Sequence, residues 1–139
     1  MVQFIIGKKG KGKTKHLLEK VNTEVQNVSG NIVYLDKSTK HMYELNNKIR
    51  LIDVSSYLIT NPDEFAGFVS GIISQDHDLE QMYFDSFLKI ACLEDGNIEP
   101  VIKKLEKISE AFHVNFVISV SLDEDELPAS VKDKIIVSL

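Results

Sequence analysis

The chain of 139 residues has one cysteine, Cys92, and one arginine, Arg50. A single cysteine excludes an internal disulfide and any cysteine-based metal cluster, which suits a cytoplasmic setting. In IACLED, Cys92 reads as a buried side chain rather than a nucleophile. A single arginine leaves no material for an arginine-rich lid over a transferring phosphoryl group, so a nucleoside or nucleotide kinase is disfavoured, although lysines can substitute in part. Arg50 reads as a rim charge, with a phosphate-contacting or subunit-supplied finger as the alternative.

Long apolar runs are missing as well. VQFII at the start is ended by GKKGKGK, too short for a signal-peptide core, and no run approaches the roughly 20 residues of a spanning helix, so no membrane span is expected. Positive charge is in the minority: 16 Lys and Arg stand against 21 Asp and Glu, a formal net charge of −5. The broad positive field that steers proteins to nucleic acid is therefore lacking, and nucleic acid is disfavoured as a partner. No HExxH, CxxC, calcium-loop or zinc-finger spacing occurs, and His16, His41, His77 and His113 are scattered. They read as structural or surface residues. Tyr34, Tyr43, Tyr57 and Tyr83 are too dispersed for a base-stacking strip.

What is present is the pattern of one folded unit. At this length, with 43% hydrophobic and 27% charged residues, a single domain over residues 1–139 is expected. VQFII reads as a buried strand ending at Gly7, followed by a helix from Lys13 to Asn27 with Leu17, Leu18, Val21 and Val25 on one face. NIVYLD gives a second strand ending at Asp36. Ser38 and Thr39 can cap a short helix to about Asn46, and KIRLIDVS is a third strand. Asn61 caps a helix with Pro62 in its first position, running to about Ser74; within it Gly67 and Gly71 read as allowing a close neighbour. LEQMYFD is a strand ending at Asp85, SFLKIACLED runs to a break at Gly96, and a long helix covers Glu99 to Phe112. HVNFVISVS and KIIVSL are strands flanking a short capped helix or turn region at DEDELPASV. Alternating elements with near-continuous apolar strands predict an α/β fold: compact, three-layered, with a mostly parallel central sheet.

GKKGKGKT at 7–14 carries the chemistry. Gly7, Gly12, Lys13 and Thr14 satisfy GxxxxGKT, Gly10 adds a further point of backbone freedom, an apolar strand enters and an amphipathic helix leaves. Successive amides can then turn inward around phosphate oxygens, extended by the free amides of the helix start. Lys13 can reach the terminal phosphates and Thr14 can offer its hydroxyl to Mg2+. Lys8, Lys9, Lys11 and Lys15 complete the basic stretch, either assisting electrostatically or facing water. The plain alternative for the whole stretch is a solvated Gly/Lys turn.

On these residues the sequence resembles the P-loop nucleoside-triphosphatase superfamily, over nearly the whole chain. More narrowly, its layout looks like the small ATP-binding proteins of Gram-positive bacteria labelled by analogy with pilus-retraction ATPases. The resemblance makes Gly7–Thr14 a Walker-A motif and MYFD a candidate Walker-B element, with Asp85 orienting Mg2+ directly or through water, against a surface aspartate that merely ends a strand. By resemblance to the superfamily's sensor strand, Ser119 or Ser121 is a candidate to sense the terminal phosphate or orient water, against a local turn hydrogen bond. Asp36, at another strand end, is a candidate for placing water or for the metal shell, against a turn aspartate; Asp53 is a weaker candidate. Hydrolytic members often carry a glutamate after the Walker-B aspartate, whereas Ser86 stands here. VSGII at 69–73 shares a fragment of the transporter-ATPase signature but reads as helix packing. A Ras-like GTPase is disfavoured because neither NKxD nor DxxG is present.

The expectation is therefore an ATP-binding protein using Mg2+, with hydrolysis as a candidate activity and Lys13, Asp85, Asp36 and Ser119 as its catalytic set. The alternative is a noncatalytic interaction protein switched by nucleotide. A homo-oligomer or a protein partner is expected by analogy with other P-loop modules.

Overall fold

Six short segments are rich in β-branched and aromatic residues and apolar on successive positions, a composition that buries both faces of a strand. In the computed structural model, which describes residues 1–94 and 96–139, these are β1 (Val2–Ile6), β2 (Asn31–Asp36), β3 (Ile49–Asp53), β4 (Leu79–Phe84), β5 (Asn115–Val120) and β6 (Ile135–Ser138). They form one sheet in the order β3-β2-β4-β5-β1-β6, and every pairing is parallel. The α/β class and the parallel sheet expected from the sequence are observed.

Helix α1 (Lys13–Glu24) covers one face of this sheet, while α2 (Pro62–Ser74), α3 (Phe87–Ile90) and α4 (Glu99–Phe112) cover the other. Alternation along the strands divides the core accordingly. Ile5, Ile32, Tyr34, Tyr83 and Val117 pack with Leu17 and Val21 of α1; Phe4, Leu35, Phe84 and Phe116 pack with Phe65 of α2 and Leu105 of α4. The result is three layers with dry interfaces on both sides of the sheet.

Local signals account for the sharp boundaries. Asn61 Oδ1 accepts from Glu64 N at 2.8 Å, and Pro62 occupies the first turn of α2, where its missing N–H does no harm. α4 ends because His113 turns left-handed at φ 57°, and buried Ser109 donates to the Val114 carbonyl at 2.6 Å. A last short helix, α5 (Ala129–Lys132), follows a turn at Glu124–Glu126 closed by a reciprocal Asp123/Glu126 cap.

Several expectations need correction. α1 stops at Glu24 instead of Asn27, its end tightening through the Gln26 N to Thr23 O and Asn27 N to Glu24 O bonds. The helix expected over 38–46 is only a 3-10 turn at Met42–Glu44; Ser38 Oγ instead accepts locally from Lys40 N, a bond that competes with helix. Cys92 is exposed, because its φ of 59° turns it outward after α3. Gly67 and Gly71 are exposed, and a Cβ on either would meet nothing within 4 Å. They are not a close-packing face. Phe112, the last residue of α4, is 57% exposed. Asp95, within SFLKIACLED, lies outside the described residues. Among the described residues no helix is long and apolar enough to cross a membrane.

Candidate functional site

The two-residue period of the strands decides which strand-end groups meet. Tyr34, Tyr83 and Val117 face α1, so Asp36, Asp85 and Ser119, each two residues further on, fall on the same side of the sheet. β5 lies between β1 and β4, which sets Ser119 between the glycine loop leaving β1 and the aspartate leaving β4.

The loop itself has the backbone its glycines permit. Gly10 and Gly12 adopt φ of 87° and 97°, and an added Cβ would find open space at both; the torsion, not crowding, requires glycine there. Gly7 N donates to Leu122 O at 3.1 Å, tying the start of the loop to the segment leaving β5. Lys13 is 7% exposed and its Nζ donates to the Lys8 carbonyl at 3.1 Å, so the ammonium folds back over its own loop. Burial pushes its pKa down, opposed by the charge of Asp85.

Asp85 is 2% exposed and gathers three hydroxyls. Its Oδ1 accepts from Thr14 Oγ1 and from Ser119 Oγ, each at 3.2 Å, and its Oδ2 accepts from Tyr34 Oη at 2.7 Å. Ser119 Oγ in turn accepts from Ser86 N at 3.2 Å. Tyr34 is the member of this group that sequence reasoning misses. Its only signals are a place two residues before Asp36 and the need of a buried phenol for a partner; the register that sets β2 beside β4 supplies the rest.

Asp36 is also 2% exposed. Its Oδ1 accepts from Lys37 N at 2.7 Å, while its Oδ2 is buried without a hydrogen-bond partner. Burial, and secondarily the charge of Asp85, push its pKa up to about 6 against the opposing effects of the Lys37 amide, His41 and the Lys37 charge.

A cavity of about 480 Å3 opens over this constellation, lined by Gly10, Gly12, Lys13, Thr14, Asp85 and Ser119 among others. Asp36 lies beside Asp85 but is not part of the cavity wall. Of the other loop lysines, Lys9 lines the cavity and Lys11 is exposed. Lys15 lines a neighbouring groove against Glu19 and Glu44. Lys8 is turned away, paired with Glu126 and 3.8 Å from Asp123 Oδ2. Asp53 is engaged as a cap for Ser55 and Ser56, and Arg50 is exposed on the edge strand β3. A larger cleft, about 590 Å3, lies at the opposite ends of the strands between Gln3, Glu106, His113 and Lys134. No glycine lines it, whereas Gly10 and Gly12 line the smaller cavity. The Thr14 hydroxyl and Asp85 carboxylate there are an all-oxygen donor pair of the kind that can hold a hard divalent cation.

Solved structures share this fold. A KaiC-like protein from the hyperthermophilic archaeon Pyrococcus horikoshii OT3 superposes with a TM-score of 0.66 at 16% identity, over 95% of this chain and 67% of that one. The flagellar accessory protein FlaH from Methanocaldococcus jannaschii superposes with a TM-score of 0.61 at 16% identity, over 94% of this chain and 64% of that one. The chain therefore spans about two thirds of the length of each. These neighbours place the fold with KaiC-like proteins and FlaH rather than specifically with small Gram-positive proteins labelled by analogy with pilus-retraction ATPases. No protein-family model and no curated protein matches the sequence.

Proposed function

We propose that residues 1–139 form one nucleotide-binding module that takes ATP together with Mg2+ and hydrolyses it. The observation that carries this reading is the 3.2 Å contact between Thr14 Oγ1 and Asp85 Oδ1 at the mouth of a left-handed glycine loop. In this reading the amides from Gly7 to Thr14 cradle the phosphates, and Lys13 exchanges the Lys8 carbonyl for phosphate oxygens. Thr14 Oγ1 and Asp85 Oδ1 hold the metal, which when bound supplies charge neutralisation on the phosphate oxygens. Ser119 and Tyr34 keep the Asp85 carboxylate oriented. Asp36, whose second oxygen is buried without a partner behind the cavity wall, is the candidate to position water or complete the metal shell from beside Asp85.

Calorimetry on the purified protein tests this. MgATP binding is expected for the wild type and should be greatly weakened in K13A; unchanged affinity in K13A removes the phosphate role. D36N should retain MgATP binding and lose phosphate release.

A second reading, a noncatalytic switch whose partner is a second copy or another protein, is favoured by two observations: Asp36 is absent from the cavity wall, and Ser86 stands where hydrolytic members of the superfamily often carry glutamate. Tight MgATP binding with no phosphate release, together with a change in light scattering on adding nucleotide, would support it. Turnover lost in D85A would count against it.

A further inference from the structure

The cavity over the glycine loop contains more positive charge than the loop motif requires. Its wall includes four lysines, Lys9, Lys13, Lys37 and Lys89, against two carboxylates, Asp85 and Glu94, a local excess of two positive charges in a chain of net charge −5. Lys9 and Lys13 belong to the loop. Lys37 and Lys89 do not: they follow β2 and β4, which lie across β5 from the strand that enters the loop, each on the segment that leaves a strand end with a buried aspartate.

Their placement follows from the backbone. Lys37 follows Asp36 directly, and its amide is fixed by the 2.7 Å bond to Asp36 Oδ1. Lys89 stands one turn beyond Asp85. Ser86, left-handed at φ 55°, reverses the chain there, and Lys89 N donates to Ser86 O at 3.0 Å. That reversal returns the first turn of α3 to the cavity wall, which also includes Ser86 and Leu88. A left-handed serine is a conformation that L residues hold only when the surroundings impose it. Neither lysine forms an ion pair among the described residues, and both are exposed.

A phosphate chain seated in the loop has its terminal group at the Lys13 and Thr14 end. Cations beyond that end meet only the last phosphate of a triphosphate, and a diphosphate stops short of them. We infer that Lys37 and Lys89 form a terminal-phosphate clamp supplied by this chain itself, one that selects nucleoside triphosphate over diphosphate and stands in for the arginine this chain lacks near the site. The inference rests on the nucleotide reading above and extends it to two residues and a substrate class.

The test compares affinities for the imido analogue of MgATP and for MgADP in the wild type, K37M, K89M and the double variant. Methionine keeps the apolar stem of each lysine and removes its charge, and both sites are exposed, so thermal melts should show an intact fold. Each single variant is expected to bind the triphosphate analogue roughly tenfold more weakly, the loss expected for one charge-assisted contact, with MgADP affinity changed less than about twofold in each. Equal losses for both nucleotides, or no loss for either, overturn the clamp while leaving the loop assignment intact. A wild type that binds neither nucleotide overturns the reading of the site, and the clamp with it.

Discussion

Tyr34 Oη donates a 2.7 Å hydrogen bond to Asp85 Oδ2 between neighbouring strands, deep in the protein. Burial, with the adjacent Asp85 charge, raises the phenol's pKa far above its ordinary value, so it remains a donor at any working pH. Replacing it by phenylalanine keeps the ring that stacks on Tyr83 at 6.4 Å and leaves a buried carboxylate oxygen without its donor. Y34F should therefore lose about 1–3 kcal/mol of stability in a denaturant titration at pH 7. A loss no larger than that of an exposed tyrosine variant such as Y43F would show that the bond contributes nothing.

Asp36 sets a pH dependence whose sign is opposite to that of a paired surface carboxylate. Its pKa moves from 3.8 to about 6 on folding, so between those values the native protein binds more protons than the unfolded chain. Stability from this group is fully present below about pH 4 and is lost as pH rises through about 6. Above that, ionising the buried group costs on the order of 2–3 kcal/mol. D36N retains an acceptor for Lys37 N and cannot ionise. It should be more stable than the wild type at pH 8 by about that amount, with the gap closing toward pH 4. Chemical denaturation of both proteins at the two pH values decides it; a gap independent of pH would mean that Asp36 is not held protonated at low pH in the native state.

Much of this site is legible in the sequence alone. The loop, Asp85, Asp36 and Ser119 are all readable as glycine spacing or as polar residues ending apolar runs, and α2 begins where Asn61 and Pro62 say it should. The partners of those residues are not legible. That Ser119 stands between Thr14 and Asp85 depends on β5 lying between β1 and β4, a sheet order that no local pattern encodes. Tyr34 has the same origin, since its role depends on pairing register. Cys92 misleads because an apolar neighbourhood in sequence says nothing of a left-handed turn. The loop lysines differ in fate for a similar reason: Lys8 finds Glu126, 118 residues away, and so points away from the cavity over the glycine loop.

Gly67 and Gly71 offer a test in which sequence logic and structure disagree on sign. Four residues apart in a helix, they suggest a face where backbones approach, and alanine at such a face would clash. In the structure both lie on the exposed side of α2, opposite buried Phe65, Val69 and Ile73, and an added Cβ at either meets no atom within 4 Å. Neither has a positive φ, so alanine fits the native backbone without strain. What remains is helix propensity and the greater freedom of glycine in the unfolded chain, both of which favour alanine. G67A and G71A should each stabilise the protein by about 0.5–1 kcal/mol. Thermal and urea unfolding of the single and double variants measure this. Destabilisation in either single variant would mean that α2 packs through its glycines in solution, against a surface that the isolated chain does not present.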